Sequence, residues 1–145
     1  MKKIKIFLVY YIIILFDYLT KKWINENIEL NQNKHIISIL NISNVHNYGI
    51  VFGTLSQQKK YLFALNFIIC AIYILYLNKK NTIKIYDLLI ISGAIGNLID
   101  RIHYGYITDF IDFKIYKFHF PNFNISDISI FFGMLCILFE KNIKK

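Results

Sequence analysis

The chain has 145 residues, 56% of them hydrophobic and 17% aromatic, with a formal net charge of +8. One soluble domain of this length has too little interior to hide so much apolar surface, so the composition argues against an ordinary soluble fold and for a bilayer as solvent. The basic residues lie between and beside apolar runs, and no recognition helix or zinc-finger spacing accompanies them, so nucleic acid is not an expected partner.

Lys5 to Lys21 brackets the first span, "IFLVYYIIILFDYLT". An N-terminal "MKK" before an apolar run imitates a signal peptide. No small-residue cleavage site follows, and a retained helix is expected. The next segment, "HIISILNISNVHNYGIVFG", is rich in β-branched residues with partial alternation and ends in the turn residues Asn47 and Gly49. It predicts strands. An amphipathic helix around "TLSQQKKYLF" is expected in the membrane interface.

A second span is predicted from Tyr61 to Leu77 and a third from about Ile83 to Asp100. "DFIDFKIYKFHF" again looks strand-like, and a short fourth span over Ile128 to Phe139 begins near Ile125. Only helices suit these runs, because backbone groups in lipid must be paired within the segment. The fold expected is thus an all-α membrane protein. It has four transmembrane helices, with a small β-sheet and a short amphipathic helix on the outer face, in one domain covering residues 1–145.

Lys2, Lys3 and Lys5, then Lys79, Lys80 and Lys84, then Lys141, Lys144 and Lys145 lie on very short segments of one side, at high basic density. Both termini are expected in the cytoplasm. Cys70 and Cys136 fall inside apolar runs, without metal or disulfide spacing, and read as small buried hydrophobes. His35, His46, His103 and His119 have no ligand spacing and read as interfacial hydrogen-bonding groups. Ser92 and Ser126 read as helix-packing or capping residues.

The nine acids separate by location. Glu26, Glu29 and Glu140 read as solvated, and Asp87 as a complement to the dipole at the start of the third helix. Asp17 precedes Lys21 by one helical turn, and an i,i+4 ion pair is expected to shape the outer mouth of the bundle. Asp100 and Arg101 end the third helix, Asp100 as an interfacial anchor or network member and Arg101 serving a carbonyl or a phosphate. Asp112 reads as part of a solvated or strand-like outer segment. Asp109 follows the third helix and Asp127 opens the fourth, so topology puts both at the outer face and close together. Two adjacent carboxylates do not both ionise cheaply, and one keeps a proton near neutral pH. That suits a pair in which one acid activates water and the other protonates a carbonyl. A structural polar cluster is the rival reading.

Five short blocks then resemble signal peptidase II, the bacterial lipoprotein signal peptidase family. "DYLTK" is similar to D-x-x-[ST]-K, "NYGIVFG" to N-x-G-x-x-F, and "GAIGNLIDR" to G-N-x-x-D-R. "GYITDFIDF" is similar to V-x-D-F, and "FNISD" to F-N-x-[AS]-D. They occur in order over nearly the whole chain. The resemblance implies that Asp109 and Asp127 are the catalytic aspartates. It implies that Asn47, Gly49, Asn97, Asp100, Arg101 and Asn124 line or brace the site, and that Asp17 and Lys21 are a polar pair near it. The implied substrate is a prolipoprotein whose cysteine carries a diacylglyceryl group, cut just before that cysteine. Membrane lipids are the other implied partner, a monomer is expected, and no metal or organic cofactor is implied. The active site would face the periplasm or exterior of the bacterial inner membrane. Ile50 and Val51 stand where the family commonly has small alanines, and Ile107 where it has valine; bulk beside Asn47 would narrow the substrate groove.

A small membrane transporter or assembly subunit is the non-enzyme alternative. Its ion path would place acids at mid-membrane, whereas these gather at the outer face. A structural anchor binding a partner through the outer sheet is a further rival, and it gives no reason for acids at both Asp109 and Asp127.

Overall fold

The structure is a computed structural model that describes residues 2–49 and 59–143. Four helices and four strands follow the order α1 (Lys2–Asn27), β1 (Asn33–Ile37), β2 (Leu40–Asn47), α2 (Lys59–Lys79), α3 (Ile85–Tyr104), β3 (Ile107–Ile115), β4 (Phe118–His119) and α4 (Ile125–Ile143). The strands form one antiparallel sheet ordered β1-β2-β3-β4. The expected four helices and small sheet are both present, and with four strands the fold is better described as helices plus a sheet than as all-α. Ile50, Val51 and the first half of the expected amphipathic helix lie outside the described residues, while Lys59 onward already belongs to α2.

α1 runs past its expected end at Lys21 to Asn27. Its last two turns stay helical because Ile24 and Ile28 bury one stripe against Phe110 of β3, with Ile42, Ile111 and Ile125 packed around them. This small apolar knot ties α1, the sheet and the start of α4 together.

α3 is bounded by local chemistry. At its start, the Asp87 carboxylate accepts the Lys84 backbone N–H at 2.9 Å. At its end, Gly105 adopts φ 74° and donates its N–H to the Arg101 carbonyl. α3 packs closely on α4 because small residues line the contact. A Cβ at Gly93 would strike the Ser126 carbonyl, and one at Gly133 would approach Ile90 Cγ1 to 2.6 Å.

Burial is inverted relative to a soluble protein. Among the described residues fifteen polar or charged side chains are buried against eight hydrophobic ones, while Leu15, Phe67, Ile72, Leu75, Phe131 and Phe139 lie exposed on the helices. Among the described residues no helix is long and apolar enough to cross a membrane. α1 carries Asp17 and Lys21, and α3 carries Asp87, Asp100 and Arg101; the first four of these are at most 2% exposed and ion-paired. The charges that interrupt the apolar runs face into the bundle.

Three expectations are corrected by tertiary contacts. Asp112 lies on β3, as its strand-like reading has it, but is 2% exposed rather than solvated, held by Asn41 of β2 and His119 of β4, each at 2.7 Å. Glu140 is paired with Lys84 rather than left to solvent. Cys136 is exposed, unlike Cys70. Glu26 and Glu29 are exposed as expected.

Candidate active site

The site is assembled where the sheet meets the outer ends of α1, α3 and α4. It begins with a helix cap. Asn124 precedes α4, and its Oδ1 accepts the Asp127 N–H at 3.0 Å. Asp127 Oδ2 reaches back to the Asn124 N–H at 3.3 Å. This reciprocal box fixes both side chains before any tertiary contact is made. Capping therefore falls to Asn124 rather than to Ser126. The Ser126 backbone N–H donates to Asp17 Oδ1 at 2.8 Å, so α1 supplies a second cap to the same helix end.

The box then reaches across the site. Asn124 Nδ2 donates to Asp109 Oδ1 at 2.7 Å and to Asn97 Oδ1 at 3.2 Å. Asn97 Nδ2 donates to Asp127 Oδ1 at 2.8 Å. Asn47 Nδ2 donates to Asp109 Oδ2 at 2.9 Å. Every carboxylate oxygen of Asp109 and Asp127 thus accepts one hydrogen bond, and the single side chain of Asn124 touches both acids.

Asp109 sits on β3 opposite Val45 of β2 and is 3% exposed. Burial, and then the negative charge of Asp127, push its carboxyl up to about 7, against the hydrogen bonds from Asn47 and Asn124. Asp109 therefore holds a proton through a substantial part of the range up to neutral pH, where an ordinary carboxyl is ionised.

Behind the acids lies a buried ionic cluster. Lys21 is 1% exposed, and its Nζ lies 2.7 Å from Asp17 Oδ2, 3.1 Å from Asp100 Oδ2 and 3.0 Å from Asn97 Oδ1. The three N–H donors of the ammonium meet three acceptor oxygens. Asp100 also accepts the Thr108 N–H at 3.1 Å, which ties the end of α3 to the strand bearing Asp109. The expected Asp17–Lys21 pair is present, and Asp100 is the network member rather than a solvated anchor.

Arg101 reaches the Gly49 carbonyl at 3.5 Å, and the Gly49 N–H donates to Asn47 Oδ1 at 2.9 Å. These contacts hold the turn after β2 beside Asp109. All ten residues singled out in the sequence converge on this region. No motif singles out Asn25, whose Nδ2 donates to Thr108 Oγ1 at 3.0 Å next to Asp109, nor Tyr106, stacked on His46 at 3.7 Å between ring centroids. Among the described residues no group of His, Cys, Asp and Glu is disposed to hold a metal ion.

The family model for signal peptidase (SPase) II matches residues 9–142. The chain belongs to the signal peptidase II family. It is 43% identical over 141 residues to the lipoprotein signal peptidase of Buchnera aphidicola subsp. Schizaphis graminum, covering 91% of this chain and 89% of that relative. It is 44% identical to the lipoprotein signal peptidase of Wigglesworthia glossinidia brevipalpis, covering 90% of each. A bacterial membrane enzyme structure solved by the in meso method at 2.3 Å superposes with a TM-score of 0.84 and 30% identity, over 97% of this chain and 92% of that one. Membership of this family makes the chain a protease of the bacterial inner membrane.

Proposed function

We propose that this protein is an aspartic endopeptidase that removes the signal peptide from diacylglyceryl-modified prolipoproteins, cutting just before the lipidated cysteine, with Asp109 and Asp127 as its catalytic pair. The observation that carries the reading is the shared bridge: Asn124 donates to Asp109 and caps the helix on which Asp127 stands. One ionised acid removes a proton from water, and the other, protonated, polarises the scissile carbonyl. Water adds to that carbonyl as the protonated acid gives its proton to the carbonyl oxygen, leaving a tetrahedral diol. The proton taken by the base then passes to the leaving amine as the C–N bond breaks, and one diol hydroxyl returns its proton to the other acid. No covalent enzyme intermediate forms. Asn97 and Asn124 hold the carboxyls in register, and Asn47 and Arg101 keep the adjoining turn in place.

In this reading α1 to α4 span the bilayer with both termini in the cytoplasm, and the sheet lies at the outer face. The inverted burial supports it, because exposed leucine, isoleucine and phenylalanine suit lipid and the buried charges are paired. So does the polar cluster of Lys80, Lys84, Asp87 and Glu140 gathered at the helix ends remote from the sheet. The substrate's acyl chains lie between helices and bring the scissile bond to the acids at the membrane edge. The protein acts as a monomer, and no cofactor is assigned to it. A transporter reading is disfavoured because Asp109 and Asp127 lie at the junction of bundle and sheet rather than at mid-bundle.

The test is an assay of purified protein on a diacylglyceryl-modified precursor and its unlipidated twin. Cleavage of the lipidated form, before the modified cysteine and with strong preference over the twin, is expected. Cleavage of neither form would overturn the reading.

A further inference from the structure

The end of the sheet remote from Asp109 has a chemistry of its own. Leu40 of β2 lies opposite Phe113 of β3, and the Lys114 N–H donates to the Ile39 carbonyl at 3.0 Å. The β1–β2 and β3–β4 turns therefore lie side by side, about 20 Å along the strand from Asp109 at roughly 3.3 Å per residue. Both tips are apolar and exposed. Ile37 and Ile39 project from one, and Ile115, Tyr116 and Phe118 from the other, with Tyr116 97% exposed.

Two further observations say what covers them. First, the tips are basic. Lys114 and Lys117 flank the β3–β4 tip, whereas Lys34 on β1 turns to the Asn27 carbonyl at 3.1 Å; residues 30–47 and 113–126 contain no Asp or Glu. Second, Tyr116 has φ 54°, a left-handed conformation that glycine or asparagine adopts at lower cost. A glycine would ease that turn but would lack the ring. An exposed aromatic with aliphatic neighbours and a lysine collar matches the headgroup layer of a bilayer, where amphipathic rings settle and anionic phosphates meet ammonium groups.

We propose that the paired hairpin tips insert into the headgroup layer of an anionic lipid surface, with Ile115, Tyr116 and Phe118 as the wedge and Lys114 and Lys117 as its electrostatic collar. The tips act as an outrigger that keeps the sheet flat on the bilayer and holds Asp109 at a fixed depth. This inference rests on the membrane placement proposed above.

The experiment replaces the lone tryptophan by Trp23→Phe and introduces Tyr116→Trp, in vesicles of phosphatidylcholine with and without phosphatidylglycerol. Lipids brominated near the headgroup are expected to quench the new tryptophan strongly, while aqueous acrylamide is expected to quench it weakly. Lys114→Gln and Lys117→Gln together are expected to remove the dependence on phosphatidylglycerol. Strong acrylamide quenching without bromolipid quenching puts the tip in water and overturns the inference. Shielding from both quenchers means a protein covers the tip, a second copy included, and also overturns it. Cleavage of lipidated precursor by the same variant in detergent reports on the proposed function separately.

Discussion

Lys21 Nζ lies 3.0 Å from Asn97 Oδ1, and this contact decides which way the Asn97 amide faces. An ammonium only donates, so it must meet the amide oxygen, and the amide nitrogen is left to donate to Asp127. Asn124 Nδ2, also a donor, enforces the same orientation. The buried ionic cluster therefore reaches Asp127 through one side chain.

Lys21→Met is expected to be costly, because Asp17 and Asp100 are left buried without their cation. Removing one partner of such a cluster costs about 3–5 kcal/mol. Lys21→Arg keeps the charge but not the compact three-acceptor geometry, and is expected to retain more stability than activity. Thermal unfolding in detergent, set beside cleavage rate, separates the two effects.

The pH dependence follows from Asp109, whose carboxyl is pushed up to about 7, first by burial and then by Asp127. Above about pH 7 the pair loses its shared proton, and kcat/KM is expected to fall, approaching tenfold per pH unit. Stability has the same sign. From the ordinary value of 3.8 up to about 7 the folded state binds more protons than the unfolded state, so unfolding free energy falls as pH rises. Asp109→Asn is expected to flatten that part of the stability profile, measured by unfolding at a series of pH values.

Gly93→Ala tests the α3–α4 contact. The added Cβ would meet the Ser126 carbonyl, a backbone atom that cannot swing aside, and Ile130 Cγ1 at 2.8 Å. A loss of about 1–3 kcal/mol is expected, read as a lowered unfolding temperature. Because Ser126 adjoins Asp127, activity is expected to fall with it.

Asn41→Ala tests the sheet's own polar chain. His35, Asn41, Asp112 and His119 come one from each strand and are joined by hydrogen bonds of 3.1, 2.7 and 2.7 Å. Burial acts to raise the Asp112 carboxyl, but the hydrogen bonds from Asn41 and His119 outweigh it and hold the group below its ordinary value. Losing one of them is expected to cost about 1–3 kcal/mol and to speed hydrogen exchange in β3 and β4, with cleavage retained.

What the sequence makes legible here is local or topological. Asp17 and Lys21 stand one helical turn apart, so their ion pair can be read directly. Asp109 and Asp127 flank a single outer segment between two helices, so their meeting follows from connectivity. Asn124 and Asp127 have the spacing of a capping box, a signal present in "FNISD". The rest depends on register and helix rotation, which apolar periodicity does not fix. Asp112 looked solvated because only the pairing of β3 with β2 and β4 brings Asn41 and His119 to it. Likewise, the second and third acceptors around Lys21, Asp100 and Asn97, lie on α3, whose facing toward α1 no local pattern announces. The spans were harder to delimit for a related reason: α1 gains its last turns from contact with Phe110, a tertiary effect.

The most direct test of the account is cleavage of a lipidated precursor by Asp109→Asn and Asp127→Asn, each shown by its unfolding temperature to be folded. Each single change is expected to lower the rate by about 10³-fold or more. A folded variant of either kind that cleaves at close to the unsubstituted rate would contradict the dyad.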